Sequence, residues 1–223
     1  MIVSESNRVR IISKIGPNLR PRSRRVFLAI VNAAQQHFLE KGFDSASMEG
    51  IAKSANTTKR TVYQHFEDKK ALFAAVVQIL CSKVVTPPLD EFKTESTGPR
   101  EFLCKLGVHF LSSIYSKEQI QLFRLVITDA DKTPELGKLM FEQVNMLEQS
   151  INDYLARQQE KGLLQLPCSE MAASQFLGLL KTDTQMKLLF GKRKRITKTE
   201  IEHIVECCVE LFLNGVAQPS SDQ

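Results

Sequence analysis

The five cysteines, Cys81, Cys104, Cys168, Cys207 and Cys208, form no CxxC pair and follow no regular spacing. A structural zinc site or a disulfide framework needs such spacing, so the thiols read as reduced packing residues of a cytosolic protein. No stretch approaches the roughly 18–20 apolar residues that a membrane helix requires. The N-terminal run "MIVSESNRVRIISKIGPNLRPRSRR" has neither a continuous apolar centre nor a small-residue cleavage site, which excludes a secretory signal. No glycine-rich loop is present to cradle a phosphate. The four histidines, at 37, 65, 109 and 203, are scattered, and no paired-carboxylate, Cys/His or metal-ligand constellation stands out. An enzyme is therefore not expected, and neither a cofactor nor a metal is implied. One more absence is local. "SANTTKRTVYQHFEDKKALF", residues 54–73, contains neither Gly nor Pro, the usual punctuation of a turn, yet lies between two helical stretches.

The chain does hold enough apolar residues, 43% of 223, to bury a core, with an ordinary 25% charged. Its charge is uneven. Residues 1–80 carry 13 Lys/Arg against 6 Asp/Glu, and the rest carry 17 against 19. That asymmetry suggests an N-terminal unit that meets an anion.

Helical periodicity dominates. Phe27, Ile30, Val31, Ala34 and Phe38 form one stripe, and Gly42 suits the end of that helix. Ser47 is a good N-cap for a short second helix reaching Ala55, and a third spans Thr58 to His65. Asp68 opens a fourth, expected to weaken in "VVTPPLDEFKTESTGPRE". Gly98-Pro99, Ser116 with Gln119, and Thr133-Pro134-Glu135 mark three further starts. A helix over Ser169–Phe190 and a last one capped by Thr197 and Glu200 complete an all-α reading without strands. "GKRKR" at 191–195 reads as a solvated loop between those two.

In the second and third helices, Ile51 with Ala55 and Val62 with Phe66 each supply one apolar face. Only Asn56 and Thr57 remain for the turn, and Asn is the best non-glycine candidate for a left-handed residue. Two short helices at a tight turn, braced by a third, describe a helix-turn-helix, whose second member enters a DNA major groove. Its outward positions would be Lys59, Arg60, Thr61, Tyr63 and Gln64, types that suit phosphates and base edges. Thr58 and Tyr63 offer hydroxyls to phosphate, and Lys69 opens the fourth helix against the local dipole, as a bound phosphate would permit. A charged helix that is merely solvated remains the alternative from composition alone.

The stretch "FLEKGFDSASMEGIAKSANTTKRTVYQHFEDKKALF", from Phe38 to Phe73, resembles the N-terminal DNA-binding domain of the TetR family of transcriptional regulators. Gly42-Phe43, Ser47-Met48, Ile51-Ala52, Ala55, Thr61-Val62-Tyr63, His65-Phe66, Lys69 and Leu72-Phe73 carry the likeness. It implies a helix-turn-helix domain, a linking fourth helix, an α-helical ligand-binding and dimerisation domain, and a homodimer on double-stranded operator DNA. It also implies that a ligand changes the separation of the two reading heads. By position, Thr61, Tyr63 and Lys69 match the family's usual phosphate and groove contacts, and His65 matches its usual His or Tyr before the Phe. Lys59 and Arg60, with Gln64 beside them, fall at its base-reading positions; Ser47 and Thr58 complete the expected DNA-binding set. Asn56-Thr57 replaces the usual Gly-Val turn, and Arg60 replaces a small residue, which makes binding more electrostatic. "FRLVI" (123–127), "PEL" (134–136) and "QFLGLL" (175–180) resemble one subgroup of the family's regulatory domains.

The expected organisation is a basic arm (1–20), the helix-turn-helix domain (21–68), a connecting helix (69–92), the ligand-binding and dimerisation domain (93–216) and a tail (217–223). An effector pocket is expected among His109, Phe110, Phe123, Met140, Phe141 and Phe176, whose apolar character favours a hydrophobic small molecule. The last two helices are apolar on more than one face. Leu177, Leu180, Leu188, Ile204, Val205, Cys208, Leu211 and Phe212 are the expected dimer contacts. The resulting expectation is a ligand-responsive repressor, cytoplasmic and associated with the bacterial nucleoid. The competing one is a helical adaptor whose basic face meets an acidic protein.

Overall fold

A computed structural model describes residues 21–85, 98–166 and 168–216. Among them ten α-helices and no strand occur: α1 (Pro21–Ser45), α2 (Met48–Ser54), α3 (Lys59–His65), α4 (Lys69–Val85), α5 (Pro99–Ile114), α6 (Lys117–Thr128), α7 (Pro134–Glu160), α8 (Ser169–Lys181), α9 (Thr184–Leu189) and α10 (Lys198–Val216). The basic arm, the expected weakening of the fourth helix after Val85 and the C-terminal tail lie outside the described residues.

Helix boundaries follow local chemistry. α1 is interrupted at Gly42, whose φ of 79° and ψ of 168° are open to glycine and costly for residues with a Cβ. Ser116 Oγ accepts from Gln119 N–H at 3.3 Å at the start of α6, and Asp68 Oδ1 accepts from Ala71 N–H at 2.7 Å at the start of α4. α10 opens on a reciprocal box. Glu200 accepts from Thr197 N–H at 2.9 Å, and Thr197 Oγ1 accepts from Glu200 N–H at 3.3 Å.

The continuous helix expected over Ser169–Phe190 is broken in two. Thr182 takes φ 45°, ψ −164°, close to a region that is essentially glycine's own, and α9 restarts at Thr184. Nothing in the residue types around Thr182 announces that break.

Two compact units result. The first takes the described residues through Cys81 together with Gln121–Phe141. Its core holds the predicted α1 stripe, with Phe27, Ile30, Ala34 and Phe38 wholly buried, against Ile51, Val62, Phe66, Leu72 and Phe73. Rings of Phe38, Phe43 and Phe73 meet at centroid distances of 4.8 to 5.8 Å. Each such side chain contributes about 1.5–3 kcal/mol on burial, so this core is what fixes the small helices α2 and α3. Leu122, Val126, Leu136 and Leu139 also join it, a contribution that a division of the sequence near residues 68 and 92 does not anticipate.

The second unit comprises Ser82–Ile120 and the described residues from Glu142 onward. α5 lies against α10, and Gly107 makes that approach possible: a Cβ there would stand 2.8 Å from Val205 Cγ1. Phe102 stacks on Tyr154 at 3.6 Å, and the Tyr115 hydroxyl donates to Lys181 O at 2.5 Å. Burial pushes the Tyr115 phenol up to about 12.

Candidate nucleic-acid interface

The α2–α3 junction supplies the missing glycine's function with an asparagine. Asn56 sits at φ 50°, in the left-handed region. Thr57 N–H donates to Ala52 O at 3.0 Å, and Asn56 N–H donates to Lys53 O at 3.1 Å. This pair of bonds is a Schellman motif, which closes α2 and turns the chain within two residues. Thr58 then caps α3, its Oγ1 accepting from Thr61 N–H at 3.1 Å and lying 2.9 Å from the Thr61 hydroxyl. Val62 is fully buried, so the rotation of α3 about its own axis is set.

That rotation turns Lys59, Arg60, Tyr63 and Gln64 outward and leaves Thr61 half-buried. Neither Lys59 nor Arg60 has an ion-pair partner among the described residues, and α3 contains no acid. Two cations in the first turn of a helix oppose its dipole, and an external anion relieves the conflict. Tyr63 is 47% exposed, enough to present its hydroxyl to solvent. Ser47 caps α2, its Oγ accepting from Gly50 N–H at 3.1 Å, and the residue itself is exposed.

Besides the two caps, His65 and Lys69 of the expected set make intramolecular contacts. His65 is half-buried, its ring 6.0 Å from Phe27, which ties the end of α3 to α1. Lys69 Nζ donates to Asp44 O at 3.0 Å and Ala46 O at 3.1 Å, and stands 4.6 Å above the Phe43 ring. These carbonyls and the ring's negative face account for a cation at the start of α4 without a phosphate. The sequence signals the anomaly at Lys69, but not the carbonyls 23 and 25 residues upstream.

Arg22, Arg24 and Arg25 lie outside the expected DNA-contact set. They are exposed on the first turns of α1, where no acid offsets them. Their available signal was the run "PRSRR" at the start of a periodic segment.

The expected effector residues do not gather as one set. Phe110 and Phe176 are core residues of the second unit, Phe176 against Phe212 at 5.2 Å. His109, half-buried in the same unit, lies 3.2 Å from Ser113 Oγ. Phe123 and Met140 belong to the first unit and are half-buried, while Phe141 is 70% exposed and so lines no interior there. A cavity of about 530 Å³ opens elsewhere, in the second unit between α5 and α10. Arg100, Glu101, Cys104, Val108, Glu202 and Glu206 are among its lining residues, and none of the six expected residues is. Four of these lining residues carry charge, while most of the exposed wall is apolar.

The expected dimer contacts divide by their burial within the single chain. Leu177, Leu180, Leu188, Val205, Cys208 and Phe212 are buried within the single chain, so their apolar surface is already used. The surplus apolarity read from the sequence is consumed by packing among α5, α8 and α10. Ile204 is half-buried and Leu211 is exposed. Met171, Met186 and Phe190, on or beside α8 and α9, are exposed apolar residues outside the expected set.

The fold and the exposed cationic helix define a helix-turn-helix protein with a separate helical C-terminal unit. Comparison with known proteins makes the class specific. Residues 30–76 match the model of bacterial regulatory proteins of the tetR family, and residues 101–215 match that of the AefR-like transcriptional repressor C-terminal domain. The chain belongs to the TetR family of transcriptional regulators.

A solved TetR-family structure from Mesorhizobium loti is 31% identical, with a TM-score of 0.77, over 88% of this chain and 99% of that one. The flavonoid-responsive regulator FrrA is 26% identical, with a TM-score of 0.71, over 88% and 99%. The transcriptional regulator AcrR of Shigella flexneri is 30% identical over 44% of this chain and 46% of its own length. Thus the chain spans less than half the length of the curated relatives it matches first.

Proposed function

We propose that the protein is a homodimeric, ligand-responsive repressor, found with the nucleoid in the cytoplasm, in which each copy inserts α3 into a major groove of a roughly palindromic operator. One observation carries this reading: Lys59, Arg60, Tyr63 and Gln64 all face solvent from a helix whose rotation is locked by Val62. Lys59 and Arg60 read base edges, with Gln64 beside them. Tyr63, with the hydroxyl of Thr58, meets phosphate. Operator half-sites then lie about one helical turn apart, as the two-fold symmetry of a dimer requires.

Repression as the mode is supported by the AefR-like repressor match over the C-terminal unit. A hydrophobic, aromatic effector is supported by the likeness to FrrA, whose name marks it as flavonoid-responsive. Effector binding favours a conformation with the wrong head separation and so lowers operator affinity. The function is binding and release, with no bond made or broken.

The roles separate on duplexes selected from a random pool. Tyr63→Phe weakens binding to all sequences alike. Arg60→Ala and Lys59→Ala relax the preference at particular base pairs and cost about 1–3 kcal/mol each on the best site. An equal loss on every sequence from all three variants contradicts the division between reading and positioning. An adaptor for acidic proteins would instead show little duplex affinity at any salt concentration.

A further inference from the structure

We infer that His203 and Cys207 form half of a metal site, completed as a His₂Cys₂ tetrahedron when two copies of α10 meet. The site rests on the dimer proposed above. In sequence the two residues look unrelated, because no CxxC or histidine pair is involved. On α10 they are one turn apart, and His203 Nε2 lies 3.9 Å from Cys207 Sγ. A zinc ion bound at its usual distances to one imidazole nitrogen and one thiolate holds those atoms about 3.5 Å apart. A small side-chain rotation therefore brings both onto one ion.

The chain supplies only these two ligands. No cluster of three or more His, Cys, Asp or Glu residues able to hold a metal occurs among the described residues. Of the neighbouring carboxylates, Glu200 is held by Arg193 and Thr197, Glu202 by Lys198 and Glu210 by Arg100, and Glu206 joins the pair in no group of three. A closed site needs two more ligands, and an identical pair from a second copy provides them.

Helix geometry says why the second copy would bring that pair. α10 buries Val205, Cys208, Val209 and Phe212 in its own unit. Ile204, Cys207 and Leu211 make a second stripe on another side of the helix, half-buried at Ile204 and exposed at the other two. Cys207 is the midpoint of that stripe. The inferred site places the two-fold axis beside Cys207, so that this residue meets its own copy and His203 follows one turn away. The two thiols release their protons to solvent as the ion binds, so the site takes a borderline-soft divalent cation such as Zn²⁺.

Native mass spectrometry of the full chain, stripped of metal and kept reduced, tests this with Zn²⁺, and Co²⁺ absorption reports the ligands. One ion per dimer is expected, with a thiolate-to-cobalt charge-transfer band. Cys207→Ser and His203→Gln abolish both, while Cys168→Ser, at an exposed thiol outside α10, leaves them unchanged. A dimer that takes no ion, or one ion per chain, overturns the shared site and leaves the dimer standing. So does binding that survives Cys207→Ser. A chain that stays monomeric overturns the dimer reading and this site together.

Discussion

Asn56 holds φ 50°, where the Cβ of most residues crowds the backbone at a cost of about 1–2 kcal/mol. Asparagine softens that cost through local hydrogen bonding, and glycine removes it. Asn56→Ala is therefore expected to destabilise the first unit by about 1 kcal/mol, while Asn56→Gly matches or exceeds the parent, both read by urea unfolding. An alanine variant as stable as the parent would contradict the account of the turn. Cys81 presents the opposite situation, a side chain made inert by its surroundings. Burial pushes its thiol up to about 12, so at neutral pH it stays protonated. A thiol reagent should label exposed Cys168 in the native protein and reach Cys81 only in denaturant. At this scale the sequence is legible where chemistry is local. The left-handed role of Asn56 follows from the two-residue turn, whereas the carbonyl partners of Lys69 are set by how α1 ends and meets α4.

Gly107 shows an element-level constraint. Alanine is the better helix former by about 1 kcal/mol, but its Cβ would stand 2.8 Å from the stiff, β-branched Val205. Overpacking of this kind costs about 1–3 kcal/mol, so Gly107→Ala is expected to lower thermal stability despite its helix propensity. A raised melting temperature would show that α5 and α10 are less closely apposed than described. The start of α10 is sensitive to acid. Hydrogen bonds from the Thr197 backbone N–H, then from Arg193 and the Thr197 hydroxyl, lower the Glu200 carboxyl from 4.5 to about 2. Because the folded value lies below the unfolded one, its stabilisation is present above pH 4.5 and is lost as pH falls toward 2. Amide exchange in the first turn of α10 should accelerate over that window, and Glu200→Gln should remove the pH dependence. Caps and stripes of this sort make helix starts readable from sequence, as at Ser47, Thr58, Asp68 and Thr197. The break at Thr182 is not readable, because its backbone conformation is held by contacts from elsewhere, including the Tyr115 hydroxyl on Lys181 O. Nor does a pattern of leucines tell which face is already covered, and six of eight expected interface residues prove to be core.

For the whole molecule, the charge asymmetry between residues 1–80 and the remainder sorts with the exposed cationic helix in the first unit and the carboxylate-lined cavity in the second. The unit boundary was less legible. Leu122, Val126, Leu136 and Leu139 look like any apolar helix positions, and only packing shows that they complete the first core. The claim on which the functional account rests is that α3 enters a DNA groove. Titrating duplex binding with salt tests it most directly, since neutralised phosphates release counterions and steepen the dependence of affinity on salt. A dimer making about six or more phosphate contacts should lose roughly a thousandfold in affinity between about 50 and 200 mM salt. The Lys59→Ala, Arg60→Ala double variant should bind markedly more weakly at low salt. A purified dimer that ignores duplex DNA at low salt, or whose binding is untouched by that double variant, would contradict the account.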